Sequence, residues 1–345
     1  MALPAALFIR KYSYKKGVIL GLLRYAAGAI LFLPAASTAS YAFYLVAIYI
    51  MASGCSVLET TANPYIMSMG SPETATRRLN IAQSFNPIGS ILGILVSKYF
   101  ILQDISLYSV SGTYAGLGVV LLAIMVVMLF ARMPEGKDET KQASLINTFS
   151  RLAKNKKYIW GVVAQFFYVG AQIGVWSFTI RLVMKELGYV EAQAATLYLI
   201  SIIGFCASRF VYTWLMKYAA PVRLLAAGSV LSAVCALVVV MAGGWVAVIA
   251  LVLISAFMSL MFPTIYGIAL GSLNENDNEK GDVKIGASGL IMAILGGALI
   301  TPLQGMVSVA TGSIYVSYLV PFGCFVVVMM YAIMCMRKLS LTVNH

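Results

Sequence analysis

The chain has 345 residues, 61% of them hydrophobic and 10% charged, where a water-soluble domain carries about 25% charge; a soluble globular fold is excluded. The formal net charge of +12 does not mark a nucleic-acid surface, because the lysines and arginines sit in short gaps beside apolar runs instead of on one basic face. Those runs, about 17 to 25 residues each, can cross a hydrocarbon core about 30 Å thick as helices, and the alternation of a barrel strand is absent.

An all-α, polytopic membrane protein is therefore expected. In chain order its ten helices fall near 17–34, 41–67, 79–102, 112–131, 158–182, 189–216, 221–242, 245–271, 285–309 and 314–336. The start, Met1 to Arg10, has too short an apolar run before its basic cluster to read as a cleavable signal. Alternate gaps then carry the cations: Arg10, Lys11, Lys15 and Lys16; Arg77 and Arg78; the long stretch from Arg132 to Lys157; Lys217 and Arg223; Lys280 and Lys284; Arg337 and Lys338. The other gaps hold only Lys98, Arg181 and Lys185. By the positive-inside rule the first set faces the cytoplasm, which puts both termini there.

The polar stretch 133–157, with Pro134-Glu135-Gly136-Lys137-Asp138-Glu139, reads as a cytoplasmic linker. It separates a first bundle, 1–132, from a second, 158–337, and residues 338–345 form a tail. The two halves resemble each other. Lys11-Tyr12 matches Lys217-Tyr218, Pro64 matches Pro263, and Ile91-Leu92-Gly93 matches Ile294-Leu295-Gly296, each at an offset of about 200 residues, the mark of two parallel repeats. The second half has six expected helices and the first only four, so the repeat implies that two further helices belong ahead of Met1.

The five cysteines, Cys55, Cys206, Cys235, Cys324 and Cys335, lie far apart in apolar spans and read as packing residues. The one histidine is His345, the last residue, so no histidine relay or histidine metal site is expected. Gly286 to Gly297 suits close helix packing; no lysine-serine follows it, so it is not a phosphate loop. No paired carboxylates, Ser-His arrangement or metal spacing supports an enzyme, and no cofactor is expected.

Glu59 is the only one of the twelve acids inside a long apolar segment. A carboxylate near the bilayer centre costs roughly 2 to 3 kcal/mol on insertion scales, so a compensating role is expected. Glu59 and Asn63 are four apart and share a helix face, while Pro64 frees the carbonyl of Thr60. Together they form a polar notch that is tolerable only against protein or a water-filled cavity. Desolvation disfavours the charged carboxylate, so its protonation follows solvent access. The bland alternative is a neutral glutamic acid that ties helices by hydrogen bonds.

On the next span Gln83 and Asn86 are three apart on one helix face, and such amides suit either sugar hydroxyls or bonds between helices. Beyond the linker, Gln165, Tyr168, Gln172 and Trp176 form one helical stripe that faces a cavity, with Gln165 open to a purely interhelical role. Arg24, deep in its span, is either a snorkelling cation or a partner for Glu59, and Arg209 reads as structural.

The segments Leu58-Glu59-Thr60-Thr61-Ala62-Asn63-Pro64 and Arg78-Leu79-Asn80-Ile81-Ala82-Gln83-Ser84-Phe85-Asn86 resemble the L-fucose:proton symporter family of the major facilitator superfamily. So do Ala164 to Gln172 with Trp176-Ser177, Ser255-Ala256-Phe257-Met258-Ser259, and Pro263-Thr264-Ile265. The resemblance spans essentially the whole chain. It implies a twelve-helix sugar permease of a bacterial inner membrane, monomeric, with its cavity between two six-helix bundles and with a sugar, a proton and the bilayer as partners.

It also implies proton coupling at Glu59 and sugar contacts at Gln83, Asn86, Tyr168, Gln172, Trp176, Asn63 and Tyr266. Trp176 resembles the aromatic that stacks on a pyranose, with a packing or interfacial tryptophan as its alternative. Phe262 stands where the family pattern has a tyrosine, and Tyr266 one turn on is expected to compensate. The acid and sugar contacts of the family's first helix have no counterpart in the chain. The expected function is proton-coupled hexose or deoxyhexose symport; a glucose/galactose-type permease and a non-transporting membrane fragment are the alternatives.

Overall fold

A computed structural model describes residues 1–101, 106–134, 144–273 and 282–343. The acidic run from Glu135 to Glu139, Lys280 and His345 lie outside the described residues. In chain order the helices are α1 (Ala2–Lys11), α2 (Tyr14–Ile30), α3 (Phe32–Thr38), α4 (Tyr41–Ser68), α5 (Ala75–Gln83), α6 (Asn86–Val96), α7 (Leu107–Phe130) and α8 (Leu145–Lys154). There follow α9 (Lys156–Leu187), α10 (Glu191–Leu215), α11 (Pro221–Met241), α12 (Gly244–Met258), α13 (Met261–Gly271), α14 (Val283–Met292), α15 (Leu295–Thr311) and α16 (Leu319–Val343).

Joined across short breaks, these give ten helices long and apolar enough to cross a membrane among the described residues. Each coincides with an expected span to within a few residues at most ends; the largest difference is the third, whose helix starts at Pro72 and carries Arg77 and Arg78 inside it. The start of the chain is helical over Ala2–Lys11 with Ala2, Ala5, Ala6 and Ile9 buried. The expected linker contains α8, and the expected tail continues α16 to Val343.

Spans break where the sequence removes an amide or spends a side chain on the backbone. The α5/α6 break at Ser84–Phe85 precedes Pro87, which has no N–H for the carbonyl of Gln83. The α12/α13 break at Ser259–Leu260 precedes Pro263, which likewise leaves the carbonyl of Ser259. Pro64, by contrast, sits inside an unbroken α4.

The chain gathers into two compact units, Met1–Gly70 with Leu92–Phe149 and Asn276–Ile291, and Ser71–Ile91 with Ser150–Glu275 and Met292–His345. These cut across the sequence halves 1–132 and 158–337, each unit taking one half-span from the other half. In the first unit α2 packs along α4, and a Cβ at Gly54 would collide with the backbone of Tyr25. The basic gap is pinned here, since Lys15 Nζ donates to the carbonyls of Leu129 and Ala131 at 2.8 and 2.9 Å and thereby caps α7. Most of α7 is bare, with Val119, Val127 and Phe130 at 63%, 65% and 84% exposure, the condition of a helix face that meets lipid.

The second unit holds a core built on α9, in which Ala164, Val175, Leu182, Leu251, Ile254 and Phe325 pack together. A Cβ at Gly296 would collide with the carbonyl of Phe166, so α15 crosses α9 at backbone contact. A Cβ at Gly93, its counterpart in the repeat, would meet nothing within 4 Å from other parts of the chain. Gly296→Val is accordingly expected to abolish recovery of monodisperse protein in detergent, whereas Gly93→Ala leaves the elution profile and melting temperature near those of the parent.

Candidate functional site

In the first unit the polar notch forms as the spacing predicts. Asn63 Nδ2 donates to Glu59 Oε2 at 2.7 Å, one turn apart on α4. Asn63 is buried and Glu59 half-buried, so the amide ties the carboxylate to the interior of the unit. The adjacent hydroxyls turn inward along the helix: Thr60 Oγ1 donates to the carbonyl of Ser56 at 2.7 Å and Thr61 Oγ1 to that of Val57 at 2.6 Å. Arg24 is half-buried on α2, and no ion pair joins it to Glu59 among the described residues.

In the second unit the centre is Arg209, on α10 and only 3% exposed. Its Nε donates to the carbonyl of Ser259 at 2.7 Å and its Nη1 to the carbonyl of Gln83 at 2.8 Å. These are the two carbonyls that Pro263 and Pro87 leave without an intrahelical amide, so one guanidinium satisfies two proline-broken helices. Its rigid fork makes this possible, because donors on different nitrogens reach in different directions. The guanidinium also lies 4.7 Å from the centroid of the Phe205 ring, a cation–π contact that shelters it in a water-poor interior.

Around it α5 makes a buried polar seam with α10 and α13. Asn80 Nδ2 donates to Thr264 Oγ1 at 3.3 Å, and Thr264 Oγ1 lies 3.4 Å from Asn80 Oδ1. Ser84 Oγ donates to the carbonyl of Asn80 at 2.7 Å and stands 3.5 Å from Thr213 Oγ1. The seam ties Ser71–Ile91 to the second unit, which explains why contacts assign it there and sequence order does not.

The residues expected to touch a sugar divide accordingly. Glu59 and Asn63 belong to the first unit; Gln83, Asn86, Tyr168, Gln172, Trp176 and Tyr266 belong to the second. The expectation of one helix face through Gln83 and Asn86 is corrected: α5 ends at Gln83 and α6 begins at Asn86, so the pair flanks a break. Asn86 is exposed and Gln83 half-buried.

On α9 the stripe is graded, with Gln165 and Tyr168 fully buried and Gln172 and Trp176 half-buried. The indole Nε1 of Trp176 donates to Ser255 Oγ at 3.3 Å, and its ring meets Phe205 edge-on at 5.1 Å and 74°. Trp176 is thus held upright by Phe205, the same ring that Arg209 covers. Tyr266, expected to stand in for a tyrosine at Phe262, is itself fully buried and stacked on Phe262 at 6.4 Å.

Neither amide atom of Gln165 has a hydrogen-bond partner among the described residues, so it does not tie helices together as a purely interhelical role would require. The double role of Arg209 was not anticipated, although a proline four residues after Gln83 and after Ser259 is a legible sign of two spare carbonyls. Among the described residues no group of three or more His, Cys, Asp or Glu side chains could hold a metal ion.

A profile described as Major Facilitator Superfamily matches residues 1–281. An L-fucose-proton symporter of Haemophilus influenzae is 42% identical over 367 residues, a match covering 96% of this chain and 83% of that protein. A putative glucose/galactose transporter of Helicobacter pylori is 33% identical over 344 residues, covering 94% of this chain and 82% of that protein. The crystal structure of the major facilitator transporter FucP in the outward conformation matches with a TM-score of 0.88 at 35% identity, covering 96% of this chain and 85% of that one. Ten helices long and apolar enough to cross a membrane among the described residues, a half-buried acid–amide pair on α4 and similarity along nearly its whole length to these relatives place the chain in the major facilitator superfamily of membrane transporters, in the FucP family, whose members are not enzymes.

Proposed function

We propose that the chain performs proton-coupled symport of a hexose or deoxyhexose, with L-fucose as the first candidate, by alternating access. Glu59 carries the proton. Gln83, Asn86, Tyr168, Gln172, Trp176, Asn63 and Tyr266 are the proposed sugar contacts. The observation that carries the reading is the Glu59–Asn63 bond at 2.7 Å inside a membrane span: a half-buried acid held by an amide can exchange a proton when water reaches it and remain hydrogen-bonded when water leaves. The names of the relatives supply the substrate class.

Trp176, fixed at its edge by Ser255 and Phe205, offers a rigid apolar surface for the C–H face of a pyranose. Trp176→Ala is expected to raise KM for the sugar roughly tenfold, about 1.4 kcal/mol, with the maximal rate little changed; Trp176→Phe recovers most of that loss. Initial-rate uptake over a range of sugar concentrations checks it. The proposed placement is the inner membrane of a bacterial cell, as a monomer, with both termini cytoplasmic.

A second reading, glucose or galactose as substrate, is favoured by the 33% identity to a protein of that name. Competition of unlabelled L-fucose, D-glucose and D-galactose against labelled L-fucose uptake decides between them. Half-inhibition by L-fucose at the lowest concentration supports the first reading, and by either other sugar the second.

A further inference from the structure

We propose that α8 is an interfacial helix that lies in the lipid headgroup layer beside the start of α9 and engages anionic lipid. At 100° per residue, Leu145, Ile146, Phe149, Leu152 and Ala153 fall on one arc, and Asn147, Ser150, Arg151 and Lys154 on the other. One edge of the helix is seated on protein, where Thr148 and Leu152 are buried at 0% and 5% exposure. The rest of the apolar arc is bare, with Leu145, Ile146 and Phe149 at 41%, 80% and 46%. A bare apolar arc beside a charged one describes a helix that rests in an interface, not one that stands in water.

Connectivity places that interface. Only the N-cap residue Asn155, whose Oδ1 accepts from Tyr158 N–H at 3.0 Å, separates α8 from the membrane span that begins at Lys156, so a helix about 15 Å long starts at headgroup depth. Trp160, in the first turns of α9, is 51% exposed, as befits a tryptophan at headgroup depth. The charge on this segment has one sign. From Ser144 to Lys185 the sequence contains no acid, while Lys154 and Lys156 are exposed, which suits phosphate-bearing headgroups.

The test places a small fluorescent amino acid at position 146 or at position 147 of the full chain, in vesicles of brominated phosphatidylcholine with and without phosphatidylglycerol. Position 146 is expected to be quenched about threefold more than position 147, and the difference to grow with phosphatidylglycerol and to fall back in Lys154→Gln/Lys156→Gln. Equal quenching at the two positions overturns the proposal. So does a response at position 146 that depends on protein density and not on bromine, since a second copy would then cover the face, and so does indifference to phosphatidylglycerol. Sugar uptake takes no part in this readout, so it stands apart from the transport reading.

Discussion

Glutamine in place of Glu59 is expected to abolish proton-driven sugar accumulation while sparing sugar exchange across vesicles held at one pH. The amide has nearly the shape of the acid and still offers an oxygen to Asn63 Nδ2, which now donates to Glu59 Oε2 at 2.7 Å, so α4 should keep its local geometry. What it lacks is a proton to carry. One pH unit supplies about 1.4 kcal/mol per proton, enough for about tenfold accumulation by a one-to-one symporter, and the substituted chain should fall to a ratio near one. Counterflow, in which labelled sugar exchanges against unlabelled sugar, requires only binding and alternation and should persist. Its dependence on pH should flatten, because the proposed proton carrier is gone. Accumulation that survives the substitution would move the coupling role to another residue, with Glu59 left as a neutral acid that holds Asn63.

The largest structural effect is expected at Arg209. Arg209→Met puts an apolar side chain of similar length there and removes both donors, leaving the buried carbonyl of Ser259 and the half-buried one of Gln83 at helix breaks whose prolines cannot serve them. Hydrogen bonds to a charged group are each worth about 1.5 to 3 kcal/mol, and an unpaired buried partner adds to the loss. The variant should therefore be less stable by about 3 to 5 kcal/mol, seen as an earlier thermal transition in detergent. Arg209→Lys, with one compact charge, should recover only part of this.

Pro87→Ala and Pro263→Ala each restore an N–H that can reach the carbonyl four residues back, so the cost of Arg209→Met should shrink in their presence. A double-mutant cycle with strictly additive losses would remove the proline explanation and leave Arg209 as a packing residue.

How much of this could be read beforehand varies with the kind of interaction. The spans were legible because hydropathy and length are local properties, and Glu59 with Asn63 because a helix turn fixes residues four apart. The glycine contact at Gly296 was legible in kind, since the small-residue run pointed to close packing, but the partner Phe166 was not. The helix α8 was overlooked for a physical reason: ten residues flanked by polar stretches carry too little hydrophobicity for a span, and only the spacing of Leu145, Phe149 and Leu152 hints at a face.

The seam of Asn80, Ser84, Thr213 and Thr264 joins residues more than a hundred positions apart; no periodicity encodes it, and with it went the assignment of Ser71–Ile91 to the second unit. Tyr266 illustrates the same limit. Its apolar neighbours fit a lipid-facing, a cavity-facing and a core position equally well, and the fold buries it against Phe262.

Coupling of sugar movement to a proton is the property proposed for this chain from which the other roles follow. The direct measurement uses the purified chain in proteoliposomes, with an imposed gradient that is alkaline inside and labelled L-fucose, D-glucose or D-galactose outside. At least one sugar is predicted to accumulate above its outside concentration and to return to equilibrium when a protonophore is added. Uptake of all three that matches empty vesicles, or that the protonophore leaves unchanged, would contradict it.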